Sequence, residues 1–238
     1  KGILEPQKPG FILLDRSTPN TPSRKGLILA VDLEYYDYRP GSHSLIRATE
    51  GTVLDRIPPR VRIRENALIE LPHIMLLIDD PEKTVIEPLF NRTESFEKIY
   101  DFDLMLDGGH IKGWKIEDEE SLEGIADALN KLICSHSEPF LFAVGDGNHS
   151  LASAKAHWEN VKARIQQAGQ EPAPVHPARY ALVEVVNVHD DGLVFEPIHR
   201  VIFGVNANTV LDEIRRSGGG NEEIEYMLFN SRESMEAS

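Results

Sequence analysis

Cysteine and long apolar runs are nearly absent from the sequence. Cys134 is the only cysteine among 238 residues, so no disulfide can form within the chain. The longest apolar runs, residues 74–78 and 140–144, are far shorter than the roughly 20 residues that span a bilayer. Because the sequence also shows no secretory leader, we expect a protein of the reducing cytoplasm that has no membrane partner.

Basic residues are scarce relative to acidic ones. The chain has 25 lysines and arginines against 39 aspartates and glutamates, which gives a formal net charge of −14. Non-specific binding to nucleic acid depends on neutralising phosphates with lysine and arginine. The charge balance therefore argues against a DNA or RNA partner, although a local basic patch can still hold a small anion.

Several familiar catalytic signatures are missing. The sequence has no Walker phosphate-binding loop, no complete dinucleotide-binding glycine fingerprint and no Gly-x-Ser-x-Gly nucleophile elbow. It also has no His-Glu-x-x-His and no cysteine pair, which are common zinc-binding spacings. These absences argue against P-loop, dinucleotide-binding and serine-hydrolase classes, and they predict no structural metal site.

The pattern of apolar residues predicts an α+β fold with a mixed sheet. Three- and four-residue apolar spacing predicts a helix over 119–135, and Asp107-Gly108-Gly109 between segments 104–106 and 111–116 predicts a β-hairpin. The remaining predictions are strands at 27–33, 43–49, 61–63, 71–80 and 140–144, helices at 148–168 and 208–216, a second hairpin at 180–188 and 193–203, and a loop at 15–26. Hairpins interleaved with helices indicate a mixed sheet flanked by helices rather than a doubly wound parallel sheet.

The length of the chain fits a single α/β domain over residues 1–238. A division into a β-rich part, 1–117, and a motif-bearing part, 118–238, is the alternative. The first residue is Lys1 and not Met, and both ends look cut from a longer chain. We therefore expect the sequence to be a fragment of a longer protein.

The main candidate site is the turn between predicted strand 140–144 and predicted helix 148–168, with the sequence Gly-Asp-Gly-Asn-His-Ser. Gly145 and Gly147 allow a tight turn and a close approach of the backbone to a ligand. The free N–H groups at a helix start, together with the positive end of the helix dipole, favour a bound anion. The turn therefore predicts a phosphate-binding site.

The polar side chains of this turn add chemistry to the site. His149 can hold or transfer a proton near neutral pH, and Asp146 can orient the imidazole, bind a metal or act as a base. Asn148 and Ser150 are further candidate ligand-binding side chains. The structural alternative is that Asp146 or Asn148 simply caps the helix while the glycines form the turn.

Two further groups of residues are candidates. His199 can donate a proton, and Arg200 can bind a phosphate through two parallel hydrogen bonds. Side chains alternate along a strand, however, so these two would point to opposite faces of the sheet. A strand-end histidine beside a solvated arginine is the plainer interpretation of that pair. Arg47 and Glu50 lie in a turn of small residues and are the better candidates. Arg60, Arg62 and Arg64 alternate with apolar residues, as on the solvated face of a half-buried strand.

Five motifs taken together resemble the bacterial family catalogued as domain of unknown function 1015. They are Arg-Ala-Thr-Glu-Gly (47–51), Arg-Ile-Pro-Pro-Arg (56–60), Leu-Pro-His-Ile-Met-Leu-Leu-Ile-Asp-Asp (71–80), Gly-Asp-Gly-Asn-His-Ser-Leu-Ala (145–152) and Glu-Pro-Ile-His-Arg (196–200). The resemblance runs from about residue 25 to 205 with the motifs in order. Members of this family tend to be encoded near enzymes of serine biosynthesis, which implies serine or phosphoserine as the substrate class.

Residues 146–150 also resemble, more distantly, the Asp-Gly-His-His-Arg signature of the superfamily that includes the partition protein ParB, sulfiredoxin and a free-serine kinase. In that superfamily the signature starts a helix and contacts nucleotide phosphates. The matching positions are Asp146, Gly147 and His149. Ser150 replaces the arginine, so Arg47, Lys155 or Arg200 would have to supply the cation. The resemblance also implies that Glu50 corresponds to the catalytic acid of the serine kinase.

The leading hypothesis is an enzyme that transfers a phosphoryl group to or from a small serine-like or phosphoserine-like metabolite, with Mg²⁺ and ATP or ADP as cofactors. Asp146 or Glu50 would act as base or metal ligand, and His149 would hold phosphate. Arg47, His199 and Arg200 would neutralise developing charge. The alternative is a nucleotide or metabolite sensor without catalysis. A protein-interaction module ranks third, and the oligomeric state stays open.

Overall fold

The computed structural model describes residues 6–71, 73–135, 138–194 and 202–218, together with residues 227, 229, 231, 232 and 234. The chain divides into two compact units, Lys1–Val194 and Phe195–Ser238. The described part of the second unit contains the helix Ala207–Gly218. The predicted organisation as one domain, or as parts 1–117 and 118–238, stays a prediction.

The first unit contains nine strands and four α-helices in its described residues. The strands are β1 (Phe11–Thr18), β2 (Thr21–Asp32), β3 (Tyr36–Asp37), β4 (Ile46–Arg47), β5 (Met75–Ile78), β6 (Glu97–Asp103), β7 (His110–Ile116), β8 (Phe142–Asp146) and β9 (Tyr180–Asn187). The helices are α1 (Ile57–Arg64), α2 (Glu87–Phe90), α3 (Glu119–Ser135) and α4 (Asn148–Gln167), and the helix of the second unit is α5.

The nine strands form one mixed sheet in the order β3-β4-β8-β5-β9-β2-β1-β7-β6. The pairs β3–β4, β4–β8 and β5–β9 are parallel, and the other neighbouring pairs are antiparallel. The predicted α+β fold with a mixed sheet is therefore confirmed. One buried apolar cluster joins the central strands to Ile125 of α3 and to Leu151, Ala154 and Trp158 of α4.

The direction of the strands brings several chain segments to one edge of the sheet. Strands β3, β4 and β8 are parallel, so their carboxyl ends lie at the same edge. Strand β5 runs against β8, with Met75 opposite Asp146, and β9 runs parallel to β5. The amino ends of β5 and β9 therefore reach the same edge, which also holds the start of α4.

The predicted hairpin around residues 107–109 forms, with β6 and β7 as its strands. Its first strand is Glu97–Asp103, and segment 104–106 belongs to the turn instead. Gly109 has a φ of 91°, and a Cβ there would lie 1.9 Å from the carbonyl oxygen of Ser17 in β1. The glycine is thus required both by the left-handed backbone and by the close packing of the neighbouring strand.

The loop predicted at 15–26 is wrong, because this segment forms the β1–β2 hairpin with residues 19 and 20 as its turn. Polar side chains pair across these two strands, so the sequence lacks the alternation of apolar and polar residues from which a strand is predicted. The Ser23 hydroxyl donates a hydrogen bond of 2.7 Å to Asp15, which faces Lys25 across the pair. Pro19 falls in the turn, so its missing N–H does not interrupt the ladder.

The strand predicted at 61–63 is also wrong, since these residues belong to helix α1. Pro58 and Pro59 lie in the first turn of that helix, where a backbone N–H has no helical partner to lose. Ile57 and Val61 of α1 pack against Ala152 of α4. The burial of Ile57 and Val61, one helical turn apart, therefore stabilises a helix. The alternation of arginines with apolar residues does not reflect a strand.

Candidate functional site

The predicted strand, turn and helix form at residues 142–167. Gly147, between β8 and α4, has a φ of 87°, in the left-handed region that favours glycine. A Cβ on Gly145 would lie 2.9 Å from the side chain of Leu77, and one on Gly147 would lie 3.2 Å from Ile74. The two glycines therefore let the turn pass close to Leu77 of strand β5 and to Ile74, the residue just before that strand.

Helix α4 begins without a side-chain cap. Its N-cap residue is Gly147, and the carboxylate of Asp146 accepts a hydrogen bond of 2.6 Å from the N–H of Gly147 rather than from the helix. Within the ranges that the structure describes, no group accepts a hydrogen bond from the N–H of Asn148, His149 or Ser150. The alternative that Asp146 or Asn148 caps the helix is therefore wrong. The helix start keeps the free donors that an anion site needs.

Asn148 joins the turn to the Arg47–Gly51 motif. Its buried side chain accepts a hydrogen bond of 3.1 Å from the N–H of Thr49 and donates one of 3.3 Å to the Thr49 hydroxyl. That hydroxyl in turn donates a bond of 2.6 Å to the carbonyl of Val144. The parallel pairing of β4 with β8 brings the two motifs side by side, and the Asn148 amide then fixes them.

His149 contacts residues of the segment 47–53 through both ring nitrogens. The N–H of Val53 donates a hydrogen bond of 3.1 Å to its Nε2, so the neutral ring carries its proton on Nδ1. Nδ1 lies 3.6 Å from the Oε1 of Glu50. The Glu50 side chain is largely exposed and the His149 side chain is largely buried. The two residues thus form a carboxylate–imidazole pair at the surface.

Arg47 holds the backbone near the site. Its guanidinium donates to the carbonyls of Ser44 and Pro139, at 2.8 and 2.9 Å, and lies over the ring of Phe140. It also lines a cavity of about 300 Å³ together with Glu50. His199 and Arg200 lie outside the described residues.

A larger cavity of about 610 Å³ lies beside the first turns of α4. Its walls come from α1, from residues 65–71 and His73, from α4 and from residues 176–178. The polar side chains that line it are Arg60, Arg64, Glu65, Glu70, His73, Ser150, Ser153, His157 and His176. Ser150 is the last residue of the Gly-Asp-Gly-Asn-His-Ser turn, so this cavity opens at the predicted motif.

The three arginines of α1 differ in their partners. Arg64 donates to Glu70 and to the carbonyl of Tyr180, and so fastens segment 65–70 to the helix. Arg60 is exposed and donates only to the carbonyl of Arg56, one turn back. In the described part of the chain no carboxylate forms an ion pair with Arg60, and Arg62 does not line the cavity. Arg60 is therefore the cation that this cavity can offer to a ligand.

Two cavity groups have no protein partner. The Nδ1 of His157 is buried and the hydroxyl of Ser150 is half-buried, and neither makes a hydrogen bond among the residues described. Burial lowers the pKa of His157, and the nearby Arg64 and Arg164 lower it further. A lowered pKa favours the neutral imidazole, which can accept a hydrogen bond from a ligand.

Sequence reasoning missed Arg60, His73, His157 and His176 as a group, because each comes from a different element and none shows metal-ligand spacing. Among the described residues, no three His, Cys, Asp or Glu side chains are grouped so that they could hold a metal ion. No helix in the described ranges is long and apolar enough to cross a membrane.

The chain belongs to the family described as protein of unknown function (DUF1015), whose model matches residues 1–231. The family predicted from the five motifs is thereby confirmed. No curated protein and no solved structure matches the chain. The more distant resemblance to the ParB and sulfiredoxin superfamily stays a prediction.

Proposed function

We propose that this protein binds a small metabolite through its phosphate group, in the cavity beside the start of α4. The observation that carries the proposal is that Ser150 and Arg60 line the same cavity. Ser150 brings a hydroxyl at the uncapped helix start, and Arg60 brings a guanidinium without a carboxylate partner.

The physical chemistry of these groups favours a phosphate monoester. A helix start with free N–H groups attracts an anion, and arginine binds phosphate oxygens through two parallel hydrogen bonds. The sequence replaces the arginine of the distant signature with Ser150. Arg60, from a neighbouring helix, would supply that missing charge. A volume of about 610 Å³ is in the range of small-molecule sites.

The first test compares two arginines of one helix. We expect Arg60→Ala to weaken the binding of methyl phosphate by about tenfold to hundredfold, because a hydrogen bond to a charged group contributes about 1.5–3 kcal/mol. Arg62→Ala is the matched control, since Arg62 is also an exposed arginine of α1 but does not line the cavity. Calorimetric titration measures both affinities. If both variants lost the same affinity for methyl phosphate, the effect would come from the change in net charge, and the proposal would be contradicted.

A second candidate function is phosphoryl transfer, with Glu50 as the base. The 3.6 Å separation between Glu50 and the Nδ1 of His149 favours it, because the imidazole can orient an exposed carboxylate towards the hydroxyl of a serine-like acceptor. Asp146 is an exposed carboxylate, and carboxylate oxygens are ligands that Mg²⁺ prefers. It would hold the ion together with oxygens of ATP or ADP.

Turnover separates this candidate from simple binding. We expect Glu50→Gln to reduce phosphoryl transfer from ATP to serine by about 10²- to 10⁴-fold with little change in the affinity for methyl phosphate. Phosphorus NMR of the full chain with Mg²⁺, ATP and serine follows the reaction, and Glu82→Gln is an exposed control outside both cavities of the site. Binding of methyl phosphate without turnover would leave a non-catalytic sensor.

A further inference from the structure

The large cavity has an apolar wall that the phosphate proposal does not use. Ile63, Leu68, Ile69 and Leu71 all line it, and they are 73%, 99%, 57% and 68% exposed. Single exposed aliphatic residues are ordinary on a protein surface, but four within nine positions on one cavity form a patch. Such a patch indicates contact with an apolar group.

The wall is held in place by the helix beside it. Arg64 of α1 donates a hydrogen bond of 2.9 Å to Glu70, which lies between Ile69 and Leu71 of the wall. The same guanidinium donates to the carbonyl of Tyr180, the first residue of β9. The segment is therefore tied to both α1 and the sheet, and its side chains face one cavity rather than lying on an untethered loop.

We infer that the ligand is a phosphate monoester with an apolar body. Its phosphate would lie at Arg60 and Ser150, and its body would lie against the segment 63–71. The inference rests on the proposed phosphate site and names the substrate class of that site. A small molecule is the occupant because the cation and the apolar wall share one cavity of about 610 Å³.

Phosphoserine fits this wall less well. Its ammonium and carboxylate would lose water beside aliphatic side chains, which is unfavourable unless each gains a charged partner. Glu65 can face the ammonium, but Arg60 is occupied by the phosphate and Arg64 is bound to Glu70, so neither arginine of the cavity is left for the carboxylate. The serine-like metabolite suggested by the family resemblance is therefore disfavoured relative to an alkyl or aryl phosphate.

The experiment is a calorimetric titration of the full chain with inorganic phosphate, phosphoserine, and methyl, propyl and pentyl phosphate. We expect each added methylene to tighten binding by about two- to fourfold, as burial of one methylene predicts. Phosphoserine should bind more weakly than propyl phosphate. Arg60→Ala should weaken every phosphate by a similar factor and leave the dependence on chain length unchanged.

A double variant tests the wall itself. Leu68→Ser with Leu71→Ser should flatten the dependence on chain length and leave the affinity for inorganic phosphate unchanged. Both side chains are so exposed that the fold does not depend on them. Met105→Ser with Leu106→Ser is the matched control, because these hairpin residues are equally exposed and do not line the cavity.

The outcomes separate this inference from the proposed function. Binding of phosphates with no dependence on chain length, or unchanged dependence in the Leu68 and Leu71 variant, would overturn the inference and keep the phosphate site. Binding of no phosphate compound at all would overturn the proposed function as well. Pentanol that binds as tightly as pentyl phosphate would show an apolar site without a phosphate site, and would also overturn both.

Discussion

Replacing Asn148 with alanine is expected to lower the free energy of unfolding by about 2 kcal/mol and to loosen the segment 47–53. The buried amide makes two hydrogen bonds to Thr49, and alanine leaves the backbone N–H of Thr49 without its acceptor. Each intramolecular hydrogen bond contributes about 0.5–1.5 kcal/mol, so the loss of both bonds accounts for about 2 kcal/mol. Urea denaturation measures the stability, and amide hydrogen exchange at residues 49 and 53 reports on the segment.

Asn66→Ala is the control for this prediction. Asn66 is exposed near the end of α1 and donates one hydrogen bond to the carbonyl of Arg62, so its removal should change stability by less than about 0.5 kcal/mol. If Asn148→Ala were as stable as Asn66→Ala, the two motifs would be held together by something other than this amide. Faster exchange at residue 53 alone would instead point to His149 as the main link.

Replacing Trp158 with alanine is expected to destabilise the protein by about 3–5 kcal/mol, the range for truncating a large buried aromatic side chain. Trp158 of α4 is buried in the main core, and its indole N–H donates a hydrogen bond of 2.6 Å to Glu34. Trp158→Phe should lose less, about 1–2 kcal/mol, because it keeps most of the packing and removes that bond. Thermal unfolding of both variants measures the difference in stability. Equal losses of stability would contradict the conclusion that packing of the Trp158 ring contributes more than its hydrogen bond.

The partner of that bond adds a dependence on pH. The hydrogen bond from Lys162 holds the pKa of Glu34 below its usual value near 4.5, although burial opposes this shift, and the bond from Trp158 lowers it further. A carboxyl with a lowered folded-state pKa stabilises the fold above its unfolded pKa, and this contribution is lost as the pH falls through the folded pKa. Glu34→Gln should therefore lower Tm at pH 7 and should have little effect in strong acid. A difference in Tm that does not change with pH would contradict the ionic role of Glu34.

Long periodic segments were predictable from the sequence. The helix at 119–135 was predicted with both ends correct, because its apolar stripe is regular and acidic residues mark its start. Helix α4 and strand β8 were likewise predicted to within about two residues. The β1–β2 hairpin and helix α1 were missed for physical reasons. In the hairpin, polar residues pair across the strands, so no apolar alternation marks it. In α1, the prolines that usually interrupt a helix lie in its first turn, where they are tolerated.

The site was predictable only in its separate parts. Residues 47–51 and 145–150 were each recognised from local chemistry, but their contact depends on a parallel pairing of strands about 95 residues apart, which no local pattern encodes. The cavity is built in the same way from α1, α4, residues 65–71, His73 and residues 176–178. Arg60 was assigned to a solvated strand face because its helix was missed, and so its place beside Ser150 could not be foreseen.

An NMR titration of the isotopically labelled chain with methyl phosphate shows whether phosphate binds at the start of α4 and at Arg60. We expect the backbone amide signals of His149 and Ser150 to shift with one saturation curve, and we expect Arg60→Ala to move this curve to about tenfold or more higher ligand concentration. Amide signals of His149 and Ser150 that stay in place while methyl phosphate binds elsewhere, or does not bind, would rule out this phosphate site.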